Sequence, residues 1–184
     1  MGERAQQIVD AALEILESDG REAMSMRGIA ERVGIRAPSL YKHFPDKAAV
    51  EVALMTVGFE AAADVLEAAE AQDPTVVSIA LAHRRFALDR PHLYRLTTNQ
   101  PLPREALPEG LEARAAGPIT RVVGGDPDLA RAAWAFAHGM IMLELDGRFP
   151  PGADLDGAWR AGCDAFAAQV AGRARASGRG RPEV

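Results

Sequence analysis

The 184-residue chain has a single cysteine, Cys163, so no disulfide can close within it. We expect that thiol to be a small buried helix residue and not a redox sensor. The four histidines are scattered, and no histidine or cysteine cluster has metal-ligand spacing. There is no glycine loop of the kind that cradles phosphates. His83, His138, Glu144 and Asp146 are types that do acid-base chemistry, but none sits in a nucleophile or metal motif. Catalysis and a bound cofactor are therefore not expected. No apolar run is long enough to span a bilayer, and the amino terminus lacks the basic segment and apolar core of a signal peptide, which leads us to expect a cytoplasmic protein without a membrane partner. Strand-like alternation and internal repeats are missing too, so the expected fold class is all-α.

What is present is a punctuated segment, SMRGIAERVGIRAPSLYKHFPDK, at residues 25–47. Ser25 can cap a helix by accepting a bond from a free amide near its start, and Ile29, Ala30 and Val33 recur at the spacing of one buried helical face. Gly34 can take the left-handed backbone that ends such a helix, and Ile35 then turns the chain inward. Pro38 is tolerated only in a first turn, so a second helix starts near Arg36 or Ala37 and is expected to run through Tyr41 toward Phe44. Leu40 and Phe44, four apart, fall on its buried side. That leaves Arg36, Ala37, Ser39, Tyr41, Lys42 and His43 on or near the face open to a DNA groove. Asp46 reads as the N-cap of the next helix, with Lys47 in its first turn, where the exposed amides and the dipole favour a phosphate.

Charge follows the same division. Residues 21–47 hold six basic side chains (Arg21, Arg27, Arg32, Arg36, Lys42, Lys47) against three acidic ones, so the rest of the chain carries −8 of a total of −5. A protein that meets nucleic acid through one small face needs only that face to be positive.

In the order and spacing of IVDAALEILESDG, SMRGIAERVG and IRAPSLYKHFPDK, residues 4 to 54 resemble the head of a TetR-type transcriptional regulator. One departure is that Arg36 stands where a serine or threonine cap is common. The resemblance implies an amino-terminal three-helix helix-turn-helix DNA-binding head at residues 1–46, and a carboxy-terminal helical ligand-binding and dimerisation body at residues 47–172. It implies that Ser25, Arg27, Arg36, Ala37, Pro38, Ser39, Tyr41, Lys42, His43 and Lys47 form the DNA face. Arg36, Ala37 and Ser39 would read bases, while Ser25, Tyr41, Lys42, His43 and Lys47 would hold phosphates.

In the body, residues 47 to about 71 read as one long helix, roughly 37 Å at the standard rise, joining head to body as a lever. Pro74 is expected to open a helix through Leu88, and Pro91 a short one through Leu96. A loop from Asn99 to Pro108 follows, then a helix around Leu111 to Val123 that Pro118 should kink or break. The stretch DLARAAWAFAHGMIMLELDGRF is apolar nearly all round, so its helix should be covered on two sides. The last helix pairs a large stripe (Trp159, Cys163, Phe166, Val170) with a small one (Ala158, Gly162, Ala165, Gln169). This suits the family's arrangement, in which the last two helices of each subunit form a four-helix homodimer interface. The Trp134, His138, Gly139 run also resembles a tryptophan-histidine-glycine motif in the ligand domain of one TetR subgroup. Residues 173–184, rich in Arg, Gly and Ala, are expected to be a flexible tail.

A pocket, if the family pattern holds, would be lined by His83, Phe86, Leu93, Tyr94, Trp134, His138, Ile141 and Met142, suiting a mostly apolar small molecule with one or two polar groups. His138 is read as a satisfied core histidine in preference to a ligand contact. The expected function is a sequence-specific transcriptional regulator, a repressor released from a palindromic double-stranded operator by such an effector. A helical protein-interaction module that turns its basic face to a protein partner is the competing reading.

Overall fold

The computed structural model describes residues 1–178 and contains helices without strands among them. Among the described residues nine α-helices follow one another: α1 Glu3–Asp19, α2 Met26–Val33, α3 Ala37–Leu40, α4 Lys47–Gln72, α5 Val76–Asp89, α6 Pro91–Thr98, α7 Leu111–Val122, α8 Pro127–Leu145 and α9 Leu155–Gly178. None of the described helices is long and apolar enough to cross a membrane. The described chain forms two compact units: residues 1–61 with 89–112, and residues 62–88 with 113–178.

The first unit is built on local signals. Ser25 Oγ accepts from the Gly28 amide at 3.1 Å, starting α2. Gly34 ends it at φ 72°, and the Ile35 amide closes back on the Ala30 carbonyl. Regular α3 is shorter than expected, stopping at Leu40. The amides of His43 and Phe44 both still bond the Leu40 carbonyl, so the chain finishes in a turn. Pro45 is the physical reason, because the residue before a proline is pushed out of helical geometry. Asp46 accepts from the Ala49 amide at 2.8 Å and starts α4. Ile8, Leu16, Met24, Ile29, Leu40, Phe44, Val50 and Leu54 form the shared core, which Leu93 and Leu96 of α6 complete. Two contacts seat α6. Glu17 of α1 accepts from the Leu93 amide in the first turn of α6, and Gly58 of α4 leaves room for Thr97, whose Cγ2 would lie 2.6 Å from an added Cβ.

The second unit packs the end of α4 with α5, α7, α8 and α9 around Leu66, Ile79, Phe86, Val123, Ile141, Trp159 and Cys163. Helix α5 starts at Val76, two residues later than Pro74 suggested, because Thr75 caps it through the Ser78 amide. A 3₁₀ turn, Arg104–Ala106, interrupts the expected loop. Helix α7 runs unbroken through Pro118, so that proline does not end it. Arg114 binds Asp64 and Glu67, and Arg121 binds Glu70, fastening α7 along α4. Gly162 belongs to packing within the chain: Phe136 of α8 occupies the space where a Cβ would stand. Helix α9 continues to Gly178, past the residue where a tail was expected to begin. Arg173 there pairs with Asp126, the N-cap of α8. Residues 179–184 lie outside the described residues.

Candidate nucleic-acid interface

The helix-turn-helix places its polar residues by burying its apolar ones. Leu40 and Phe44 pin α3 and its exit turn into the core, which leaves Arg36, Pro38, Tyr41, Lys42 and His43 exposed. Tyr41 is an exposed large side chain, half open to solvent. Arg36 occupies the N-cap position of α3 with extended backbone and makes no capping bond, so its guanidinium is not spent on the helix. Arg36, Lys42 and His43 have no ion-pair partner among the described residues, which leaves their donors available. Ala37 and Ser39 are half-buried, with Ala37 packed on the core, so they contribute less open surface than Arg36.

The other expected contacts are partly engaged. The Ser25 hydroxyl is used as the α2 cap, though the residue remains exposed. Arg27 pairs with Glu31 one turn on at 2.8 Å, both exposed. Lys47 donates to the Arg21 carbonyl at 2.9 Å. The free positive charge of the face therefore comes from α3 and its exit, while Arg27 is answered by its own helix and Lys47 is held by the Arg21 carbonyl.

Sequence reasoning missed two residues here. The sequence shows Arg21 only as one of the basic side chains of residues 21–47 and gives no sign of its partner, Glu51. Glu51 is the buried charged side chain among the described residues and holds Arg21 through both carboxylate oxygens, each at 2.8 Å. The available signal was its place in the second turn of α4 beside Val50 and Leu54, both fully buried.

Of the residues expected to line a pocket, Leu93 and Tyr94 lie buried in the first unit. His83 and Phe86 of α5 and Trp134, His138, Ile141 and Met142 of α8 lie in the second unit. Phe86 and Ile141 are buried, whereas Trp134 is half exposed and stacks on His138 with ring centroids 5.4 Å apart and 7° between planes. Burial lowers the His83 pKa from 6.5 to about 4, and nearby His138 adds to the shift. Burial also lowers the His138 pKa. Burial of the Tyr94 phenol raises its pKa. At neutral pH the His83 and His138 imidazoles are neutral.

The His83 shift sets a pH dependence. As pH falls below about 6.5, the unfolded chain takes up a proton that the folded chain refuses until about pH 4, so stability is lost across that window. At about 1.4 kcal/mol per unit, wild type should lose about 2 kcal/mol more than His83→Gln between pH 6.5 and 4.5 in urea unfolding. Equal losses in the two proteins would remove His83 from the acid response.

Glu144, one of the acid-base types noted in the sequence, has a structural partner. Arg84 binds both its oxygens at 2.7 and 2.9 Å, reaches Asp156 at 2.7 Å and lies over the Trp159 ring. The guanidinium thereby ties α5, α8 and α9 together. The Asp156 pKa is lowered by its hydrogen bond from Arg84.

Comparison with known proteins agrees with the geometry. The family described as bacterial regulatory proteins, tetR family, matches residues 8–54, and the tetracyclin repressor-like C-terminal domain matches residues 76–166. The chain is 30% identical over 155 residues to an HTH-type transcriptional regulator of Mycobacterium tuberculosis, covering 76% of this chain and 69% of that protein. The HTH-type transcriptional repressor KstR of Mycolicibacterium smegmatis is 40% identical over 58 residues, 32% of this chain and 28% of that one. A solved structure of the regulatory protein SCO4313 superposes with a TM-score of 0.72 at 26% identity, covering 89% of this chain and 94% of that one.

Proposed function

Because the chain belongs to the TetR family of bacterial regulatory proteins and is a DNA-binding transcriptional regulator, we propose that it is a homodimeric repressor released from a palindromic operator by a small, mostly apolar effector. The observation that carries the DNA part is the α3 face, where Arg36, Tyr41, Lys42 and His43 stand exposed on a helix anchored by Leu40 and Phe44. Two such faces, about 34 to 36 Å apart in a dimer, enter successive major grooves. Arg36 reads a base edge, and Lys42, His43 and Lys47 set the register on phosphates.

Dimerisation is supported by α8 and α9. Leu143 is a large apolar side chain left exposed on α8, and Ala158, Ala161 and Ala165 form an exposed small-residue line on α9. Phe86, Trp134, Ile141 and Met142, with neutral His83 and His138 beside them, favour an apolar effector over an anionic one. The effector lowers DNA affinity by as much as its own affinity differs between the two conformations of the protein. The repressor sense is supported by the KstR relative, a transcriptional repressor.

Selection of bound duplexes from a random pool by the purified protein tests the reading, and an enriched inverted repeat is the expected result. A folded dimer that enriches no sequence would instead favour a protein partner for the basic face. On the selected site, Arg36→Ala should relax preference at one or two base pairs, each change worth about 1 to 3 kcal/mol. An unchanged preference in repeat selection would remove Arg36 from base reading.

A further inference from the structure

Glu51 is out of place for a protein that meets a polyanion. It lies in the second turn of α4, only 7% exposed, next to the face that carries the positive charge. Its Oε1 accepts from Arg21 Nε and its Oε2 from Arg21 Nη2, both at 2.8 Å, a two-pronged pair that fixes the plane of the guanidinium. One turn earlier, Lys47 Nζ stands 3.9 Å from Glu51 Oε1 and donates to the Arg21 carbonyl at 2.9 Å. Arg21 comes from the turn after α1 and Lys47 opens α4, so two cations from different elements are held against one carboxylate. Their side chains remain 46% and 36% exposed.

We propose that Glu51 is a positioning residue of the DNA interface, locking Arg21 and Lys47 into a fixed pair of cations that together grip one backbone phosphate. The proposal rests on the DNA-binding reading above. The donors left over after the Glu51 contacts are Nη1 and one hydrogen of Nη2 on Arg21 and two hydrogens on Lys47, a set suited to phosphate oxygens. Arginine and lysine ordinarily lose much rotamer freedom when they take a phosphate, and a pair already held in place loses less. Fold stability alone does not account for the arrangement, because a well-packed apolar pair serves a core as well as a buried ion pair does. Glu51 faces inward and spends both oxygens on Arg21, so the outer surface of the cluster presents N–H groups and a net positive charge.

Glu51→Gln separates positioning from simple charge. It removes a negative charge, so an account based on net charge requires tighter binding to DNA. Positioning requires the opposite. Binding of a labelled 30-base-pair random-sequence duplex is measured by anisotropy across a salt series, with circular dichroism confirming that each variant is folded. We expect Glu51→Gln to bind five- to tenfold more weakly than wild type and its log-log salt slope to fall by about one unit per reader. Arg21→Lys keeps every charge and loses the fork, and it should also bind several-fold more weakly; it carries the test if Glu51→Gln does not fold. Wild-type affinity and slope in the folded variants would overturn the positioning role while leaving the DNA reading intact. Failure of wild type itself to bind any duplex would overturn the DNA reading and the positioning role with it.

Discussion

Trp159→Ala is expected to cost about 3 to 5 kcal/mol of unfolding free energy, the largest single-residue loss in the second unit, read from urea unfolding followed by circular dichroism. Trp159 is fully buried in the first turns of α9. The Phe136 ring meets it edge-on at 5.7 Å, and the Arg84 guanidinium lies over it at 5.7 Å from the ring centroid. Truncation would open a cavity between α8 and α9 and remove the surface on which Arg84 rests while it holds Glu144. The indole N–H itself is buried with no hydrogen-bond partner among the described residues. Trp159→Phe should therefore cost clearly less than the lost area suggests, since it removes an unsatisfied donor along with part of the ring. A Phe variant as damaged as the Ala variant would contradict the unsatisfied-donor account.

Leu40→Ala is expected to cost about 2 to 5 kcal/mol and, in the protein that remains folded, to abolish specific DNA binding. Regular α3 is only four residues long and has no side-chain cap, so it cannot hold its conformation alone. It is held by its fully buried Leu40, with Phe44 following in the exit turn. Without Leu40 the presented groups Arg36, Tyr41 and Lys42 lose their common frame even if α1 and α2 stay packed. A duplex-binding titration at a temperature where circular dichroism shows the variant folded separates loss of frame from loss of fold. Retained wild-type affinity there would show that α3 is held by something other than Leu40.

Much of the reader was legible because its signals are local. A hydroxyl at Ser25, a glycine at Gly34, a carboxylate at Asp46 and Pro38 in a first turn act on the backbone within a few residues, and each was found where its chemistry required. The end of α3 was read too far because hydrogen-bonded turns continue beyond Leu40 and resemble helix in residue pattern. The body was less legible. Pro74 drew the start of α5 two residues too early, although Thr75 is the better cap, and Pro118 is accommodated inside α7. Gly162, read as part of a small stripe, is small because Phe136 needs its space.

The sequence by itself determined an all-helical chain with an amino-terminal helix-turn-helix, because capping, glycine turns and helical periodicity are properties of neighbouring residues. Only the tertiary structure decided which charges are free. Arg27 and Lys47 look alike in the sequence, yet one pairs with Glu31 of its own helix and the other joins Arg21 and Glu51. Arg21 meets a carboxylate 30 positions away, and Arg84 meets two that are 60 and 72 positions away. Ion pairs of that separation depend on where helices cross, which is settled by the packing of whole apolar faces and leaves no spacing in the sequence to read.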